Sequence, residues 1–366
     1  MKKFFKLIFI IIFIFAFSVN SYAENENNDY ENLFWNNMDS QITDYLDDLE
    51  IDKTYIYEML TDSPVNIIKH LIKIIIPEKR FVKSSILSTT IIIILTAIAD
   101  SFLKNNSKSS SIIYFVCTMS IISIIIIPIG NLIVETASCI KLATIFVNSY
   151  LPVMTSIIIG TKNPSLAFTY NSFTLFVSSI ISILANKYFV PLISCLLSFV
   201  VFKSFSTDNN NTKIFKTLKK TIVVLITLFS SIYSGILTTQ SIFAVSKDSL
   251  IMKGFKFISG TFIPIIGSGI GDALSSFLSS ILVLKNTIGI IIIVIIVFIF
   301  LPVTTELLLW YFALQICSII SSLFNLTHID NILENISSIV SLLNIIIFFI
   351  GFILIISTGI IIMVGK

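Results

Sequence analysis

Between residues 84 and 364 the chain is built from long runs of Ile, Phe, Leu and Val, interrupted by short polar patches about every twenty positions. About twenty apolar residues in a helix cover the ~30 Å hydrocarbon core of a bilayer. A helix satisfies its own backbone in that solvent, whereas the strands of a closed barrel would alternate in polarity and not run solidly apolar. The chain has 366 residues, of which 55% are hydrophobic and 12% charged, and its mean hydropathy is +0.97. No single soluble core hides that much apolar surface. The expected fold class is an all-α polytopic membrane protein.

The first residues form a unit of their own. Met1-Lys2-Lys3 is a short basic stretch, Phe4–Phe17 is apolar apart from Lys6, and Ser21-Tyr22-Ala23 places small residues at the −3 and −1 positions before Glu24. This layout predicts a signal peptide over residues 1–23, cleaved after Ala23. An uncleaved first span would leave residue 24 on the same side, outside the cytoplasm. Residues 24–63 then form an acidic extracytoplasmic segment, with twelve Asp or Glu and one Lys, Lys53, between Glu24 and Asp62. Phe34, Met38, Ile42, Tyr45, Leu46 and Leu49 keep a helical spacing, so part of it is expected as an amphipathic helix. Charge alone would make the segment a solvated tether. Trp35, Tyr45, Tyr55 and Tyr57 favour a partner-binding surface instead.

Residues 64–83 are expected as an interfacial amphipathic helix and linker. Asp62-Ser63-Pro64 opens the helix. Ile68, Leu71, Ile72 and Ile75 share one face, Asn66, Lys69, His70 and Lys73 the other, and Pro77 stops it short of a bilayer-crossing length. About ten spans follow, at 84–103, 111–134, 140–160, 166–185, 188–203, 221–245, 258–284, 287–305, 307–325 and 336–364. The segment 258–284 is either a span or re-entrant. Lys203, Lys213, Lys216, Lys219 and Lys220 outweigh Asp208 and place the loop after the fifth span in the cytoplasm.

An internal duplication is expected within the membrane domain, residues 84–366. Phe146-Val-Asn-Ser-Tyr-Leu-Pro152 and Ile258-Ser-Gly-Thr-Phe-Ile-Pro264 share an aromatic–aliphatic–proline signature 112 residues apart, and Phe189-Val-Pro191 matches Phe300-Leu-Pro302 at an offset of 111. The candidate repeats run over about 140–250 and 252–364. Transport folds are often built this way, and paired Gly/Pro-interrupted segments point to the substrate path.

Gly260, Gly267, Gly269 and Gly271 crowd one segment with Pro264 and end at Asp272. Small residues let helix backbones approach closely, and glycines beside proline also permit a broken helix. Asp100, Glu135, Lys141, Lys187, Asp272, Lys285 and Glu306 sit in or at the ends of spans, where a charge at membrane depth is expensive unless it snorkels. The candidate pathway or packing residues are therefore Pro152, Gly260, Pro264, Gly267, Gly271, Asp272, Lys285 and Glu306. Cys117, Cys139, Cys195 and Cys317 lie in apolar stretches and are expected as packing residues. There is no Walker lysine motif, HExxH or nucleophile elbow, and the histidines are His70 and His328 alone. No enzymatic activity, cofactor, metal or nucleic-acid partner is expected.

From Lys256-Phe-Ile-Ser-Gly-Thr-Phe-Ile-Pro-Ile-Ile-Gly267 through Asp272 to Leu284-Lys-Asn-Thr-Ile-Gly289, the chain resembles the stage III sporulation protein AE family of endospore-forming bacteria. The likeness extends to the signal peptide, an acidic exported segment with Trp35 near its start, and a multi-span body. The resemblance implies a subunit of the channel or secretion complex joining mother cell and forespore, in the mother-cell-derived outer forespore membrane. It implies partners from the same sporulation operon, among them ring-forming proteins and a cytoplasmic ATPase, and a forespore channel protein. It supplies no catalytic residues, and Glu306 departs from the basic residue that relatives can carry near that place. A free-standing secondary transporter and a non-transporting membrane scaffold are the alternatives.

Overall fold

The computed structural model describes residues 28–61, 80–103, 107–160, 164–204, 212–244 and 287–364. They form helices α1 (Asn28–Asn36), α2 (Ser40–Asp48), α3 (Lys53–Thr61), α4 (Arg80–Leu103), α5 (Ser107–Gly160), α6 (Pro164–Ile183), a π-helical segment (Leu184–Phe189), α7 (Val190–Ser204), α8 (Thr212–Ala244), α9 (Thr287–Leu323) and α10 (Thr327–Val364). No strand occurs among the described residues.

The acidic segment folds into three short helices with well-defined ends. The Asp39 carboxylate accepts from the Gln41 N–H at 2.9 Å and opens α2, and Asp52 accepts from the Tyr55 N–H at 2.7 Å and opens α3. After α2, Glu50 takes a left-handed φ of 58°. The Ile51 N–H then reaches the Leu46 carbonyl and the Glu50 N–H the Asp47 carbonyl, both at 2.9 Å. This pairing satisfies the last orphan carbonyls of the helix and turns the chain back on itself. The apolar face read from the sequence is the face that packs: Phe34, Ile42 and Leu46 are buried, and Met38, Tyr45 and Leu49 lie against the core. Asp44, Asp47, Asp48 and Glu50 stay exposed. The segment is a packed cap with an acidic outer surface, and Trp35, Tyr45, Tyr55 and Tyr57 spend part of their surface inside the molecule.

Five helices among the described residues are long and apolar enough to cross a membrane: Val82–Phe102, Ile112–Ser156, Thr174–Ser204, Ile288–Leu323 and Thr327–Thr358. Several runs expected as separate spans are joined. Those at 111–134 and 140–160 lie in one helix of 54 residues, about 80 Å long. Those at 166–185 and 188–203 run on through the π segment, and those at 287–305 and 307–325 lie in one helix of 37 residues. The expected breaks near Glu135, Lys187 and Glu306 are not breaks: Glu135 and Lys187 point off the helix surface and Glu306 is half-buried. A helix carries a charge on its outer face without losing a backbone hydrogen bond.

The surface of α5 changes along its length. Its exposed positions from 112 to 134 include Ile112, Phe115, Val116, Ile127 and Val134. From 135 onward they are Glu135, Ser138, Lys141, Asn148, Pro152 and Ser156. At the centre of the bundle α9 and α10 form a hairpin, closed at Asn325 by a second left-handed turn with φ 59°. Ile291 through Ile296 are buried on every side of α9, as a helix apolar all round must be. Gly351 lets α10 approach closely, since a Cβ there would lie 3.3 Å from the Phe300 ring.

Candidate functional site

Two features bring polar chemistry into this apolar bundle. The first is Pro302, inside α9. Proline has no N–H for the carbonyl four residues back, that of Phe298, and its ring crowds the preceding turn. A buried carbonyl left without a donor costs about 1–3 kcal/mol. Here the donors come from elsewhere in the chain. The Tyr45 hydroxyl lies 3.4 Å from the Phe298 carbonyl and 3.3 Å from that of Ile299, and the Cys139 thiol donates to the Ile299 carbonyl at 3.3 Å. Burial pushes the pKa of the Tyr45 hydroxyl up, with a smaller push from Cys139, so it stays a protonated donor. The cap is held there by apolar contact as well, with Phe34 edge-on to Phe146 at 6.5 Å. Above this level the Tyr150 hydroxyl meets Thr358 Oγ1 at 3.0 Å, and the Tyr233 hydroxyl donates to the Ile353 carbonyl at 3.1 Å. Aromatic hydroxyls thus fix α10 from α5 and from α8.

The second feature is a groove of about 270 Å³ between α5 and α6, lined by Thr144, Asn148, Ser178, Ser179, Ser182 and Ile183. Asn171, Thr174 and Ser178 follow one another at helical spacing along α6. Thr174 and Ser178 are buried, and their hydroxyl oxygens, like Asn171 Oδ1, have no hydrogen-bond partner among the described residues. Pro152, one turn beyond Asn148, offers no N–H to the Asn148 carbonyl, so α5 runs on beside the groove with one backbone hydrogen bond missing.

A profile of the family described as stage III sporulation protein AE matches residues 43–365. The chain belongs to that family. The match begins inside α2 and takes in Tyr45, both prolines and the groove. Stage III sporulation protein AE of Bacillus subtilis (strain 168) is 26% identical over 208 residues, 56% of this chain and 51% of the relative. The chain therefore aligns with about half the length of that curated relative. No solved structure matches. Family membership and the apolar helices together make this a sporulation membrane protein.

Of the residues singled out in the sequence of this stage III sporulation protein AE family member, Pro152 lies on the exposed side of α5 beside the groove, and Glu306 is half-buried one turn beyond Pro302 on α9. Gly260, Pro264, Gly267, Gly271, Asp272 and Lys285 lie outside the described residues. The four cysteines are unpaired as disulfides. Among the described residues no group of His, Cys, Asp or Glu is placed to hold a metal ion. The groove was not read from the sequence. Its signal is the run of Asn171, Thr174, Ser178 and Ser182 on one face of an otherwise apolar helix.

Proposed function

We propose that this chain is a permease-like integral membrane subunit of a channel or secretion complex linking mother cell and forespore, required for forespore development after engulfment. The carrying observation is the family match over 43–365 in a chain with long apolar helices. The bilayer covers the first half of α5, whose exposed residues are mostly apolar, with Ser123 and Asn131 the polar ones, and ends near Glu135. The Cys139–Ile299 contact sets α5 against α9, so Glu306 falls close to that same level. The groove, lined by Thr144 and Asn148 of α5 and by Ser178, Ser179 and Ser182 of α6, lies on the far side of Glu135. Charges gathered where apolar surface ends are what lipid headgroups accommodate. The acidic cap, packed beyond that level, lies outside the cytoplasm after export by the signal peptide. The lysine bias of Lys213, Lys216, Lys219 and Lys220 puts the start of α8 toward the inside, with Lys219 reaching into the bundle to Ser338 at 3.0 Å. Joining two pairs of runs removes two crossings from the path between them and preserves that opposition.

The duplication finds support in the arrangement of helices. The long rod α6–π–α7, interrupted at Pro191, is followed by the returning helix α8. The long rod α9, interrupted at Pro302, is followed by the returning helix α10. A free-standing secondary transporter is the reading that duplication alone would favour. Affinity purification in mild detergent separates the two, because the complex subunit brings down the operon's ring-forming proteins and the ATPase, and a lone transporter brings down neither. A deletion strain is expected to grow normally, form and engulf forespores, and then halt. Heat-resistant spores at the normal rate would refute the assignment. Asp272→Asn tests the transport reading: loss of sporulation with the complex still assembled favours a functional charge, and a silent change favours a non-transporting scaffold.

A further inference from the structure

We propose that the groove between α5 and α6 binds a small uncharged solute rich in hydroxyl or amide groups. Five of its lining side chains are of hydrogen-bonding type, Thr144, Asn148, Ser178, Ser179 and Ser182, and one, Ile183, is aliphatic. None is ionisable, so a charged solute would lose its hydration there without a counter-charge. Ser178 is 2% exposed, lines the groove, and has a hydroxyl with no partner in the described fold. Thr174, one turn earlier on α6, is 1% exposed and equally unpartnered. Buried hydroxyls are normally paired, and the Ser178 side chain, its oxygen now buried, gains a partner by turning toward an occupant of the groove. The volume of about 270 Å³ is many times that of a water, roughly 30 Å³, and stands at the small end of ligand pockets, roughly 300 Å³. A bare cation would leave most of it empty. Asn148 and Ser179 are exposed at its mouth, on the half of α5 whose outer surface is polar, so a solute enters from water and not through lipid.

This inference names the solute class for the permease reading and rests on that reading only for its physiological use. The test uses the full chain in detergent, with the four native cysteines replaced by serine and Ser179→Cys as a reporter for a small neutral maleimide. Glucose is the neutral probe, gluconate and glucosamine are its charged counterparts, and sodium chloride is the ion control. Glucose is expected to slow labelling of the reporter severalfold, while gluconate, glucosamine and sodium leave the rate unchanged. Adding Ser178→Ala is expected to abolish the protection with the melting temperature unchanged or raised, because an unpaired buried hydroxyl has been removed. Ser182→Ala, at a half-buried position, is expected to weaken the protection in the same direction. Absence of protection by glucose overturns the proposal, as do equal protection by a charged analogue, protection by sodium alone, or full protection in Ser178→Ala. Failure of the complex reading appears elsewhere, in a deletion strain that still sporulates, and leaves the binding result readable.

Discussion

The gap that Pro302 opens in one helix, at the Phe298 carbonyl, is answered by Tyr45, 253 positions before Phe298 in the chain. The apolar spacing through Tyr45 told which face of the cap would be buried, and Pro302 stood out by its match to Pro191. Their meeting was not legible, because periodicity reports which side packs and not against what. Tyr45→Phe is expected to destabilise the protein by about 1 kcal/mol, read as a lower melting temperature in detergent. The same substitution in a Pro302→Ala background is expected to cost much less, since an alanine N–H then serves the Phe298 carbonyl. Equal costs in the two backgrounds would remove the hydrogen bond from the account. Glu50 offers a second residue-scale check. It holds a left-handed conformation that penalises a side chain by about 1–2 kcal/mol, so Glu50→Gly is expected to raise the melting temperature.

The membrane helices were legible as apolar runs, and Arg80–Leu103 coincides closely with the first expected span. Their continuity was not legible. A charged residue after twenty apolar ones looks like the end of a span, yet Glu135 and Lys141 sit on the outside of an unbroken helix. Hydropathy averages over all faces and loses that distinction. The pairing of α9 with α10 rests on close approach at Gly351, where the Phe300 ring lies 3.3 Å from the place a Cβ would take. Gly351→Leu is expected to cost about 1–3 kcal/mol by overpacking. Gly235, where a Cβ would meet nothing within 4 Å, is the control: Gly235→Ala is expected to leave the melting temperature the same or higher. If both variants melt like the parent, the α9–α10 contact is looser than described.

At the scale of the whole molecule, the expectation of an all-helical membrane protein agrees with the described helices, and the family expectation agrees with the match over 43–365. The Gly/Pro-rich run 258–272 and Asp272, which carried most of the sequence-based site, lie outside the described residues. The groove takes their place as the described candidate, on residue types too ordinary to stand out singly. The central claim is that the bilayer crosses the first half of α5 and that the cap and groove stand beyond it, outside the cytoplasm. In a background without the native cysteines, single cysteines at Asp47, Asn148 and Lys216 are expected to separate cleanly. An impermeant thiol reagent added to intact cells should label Asp47→Cys and Asn148→Cys, and Lys216→Cys only after permeabilisation. Failure of Asn148→Cys to label would return residues 140–160 to the membrane, and labelling of Lys216→Cys in intact cells would invert the topology.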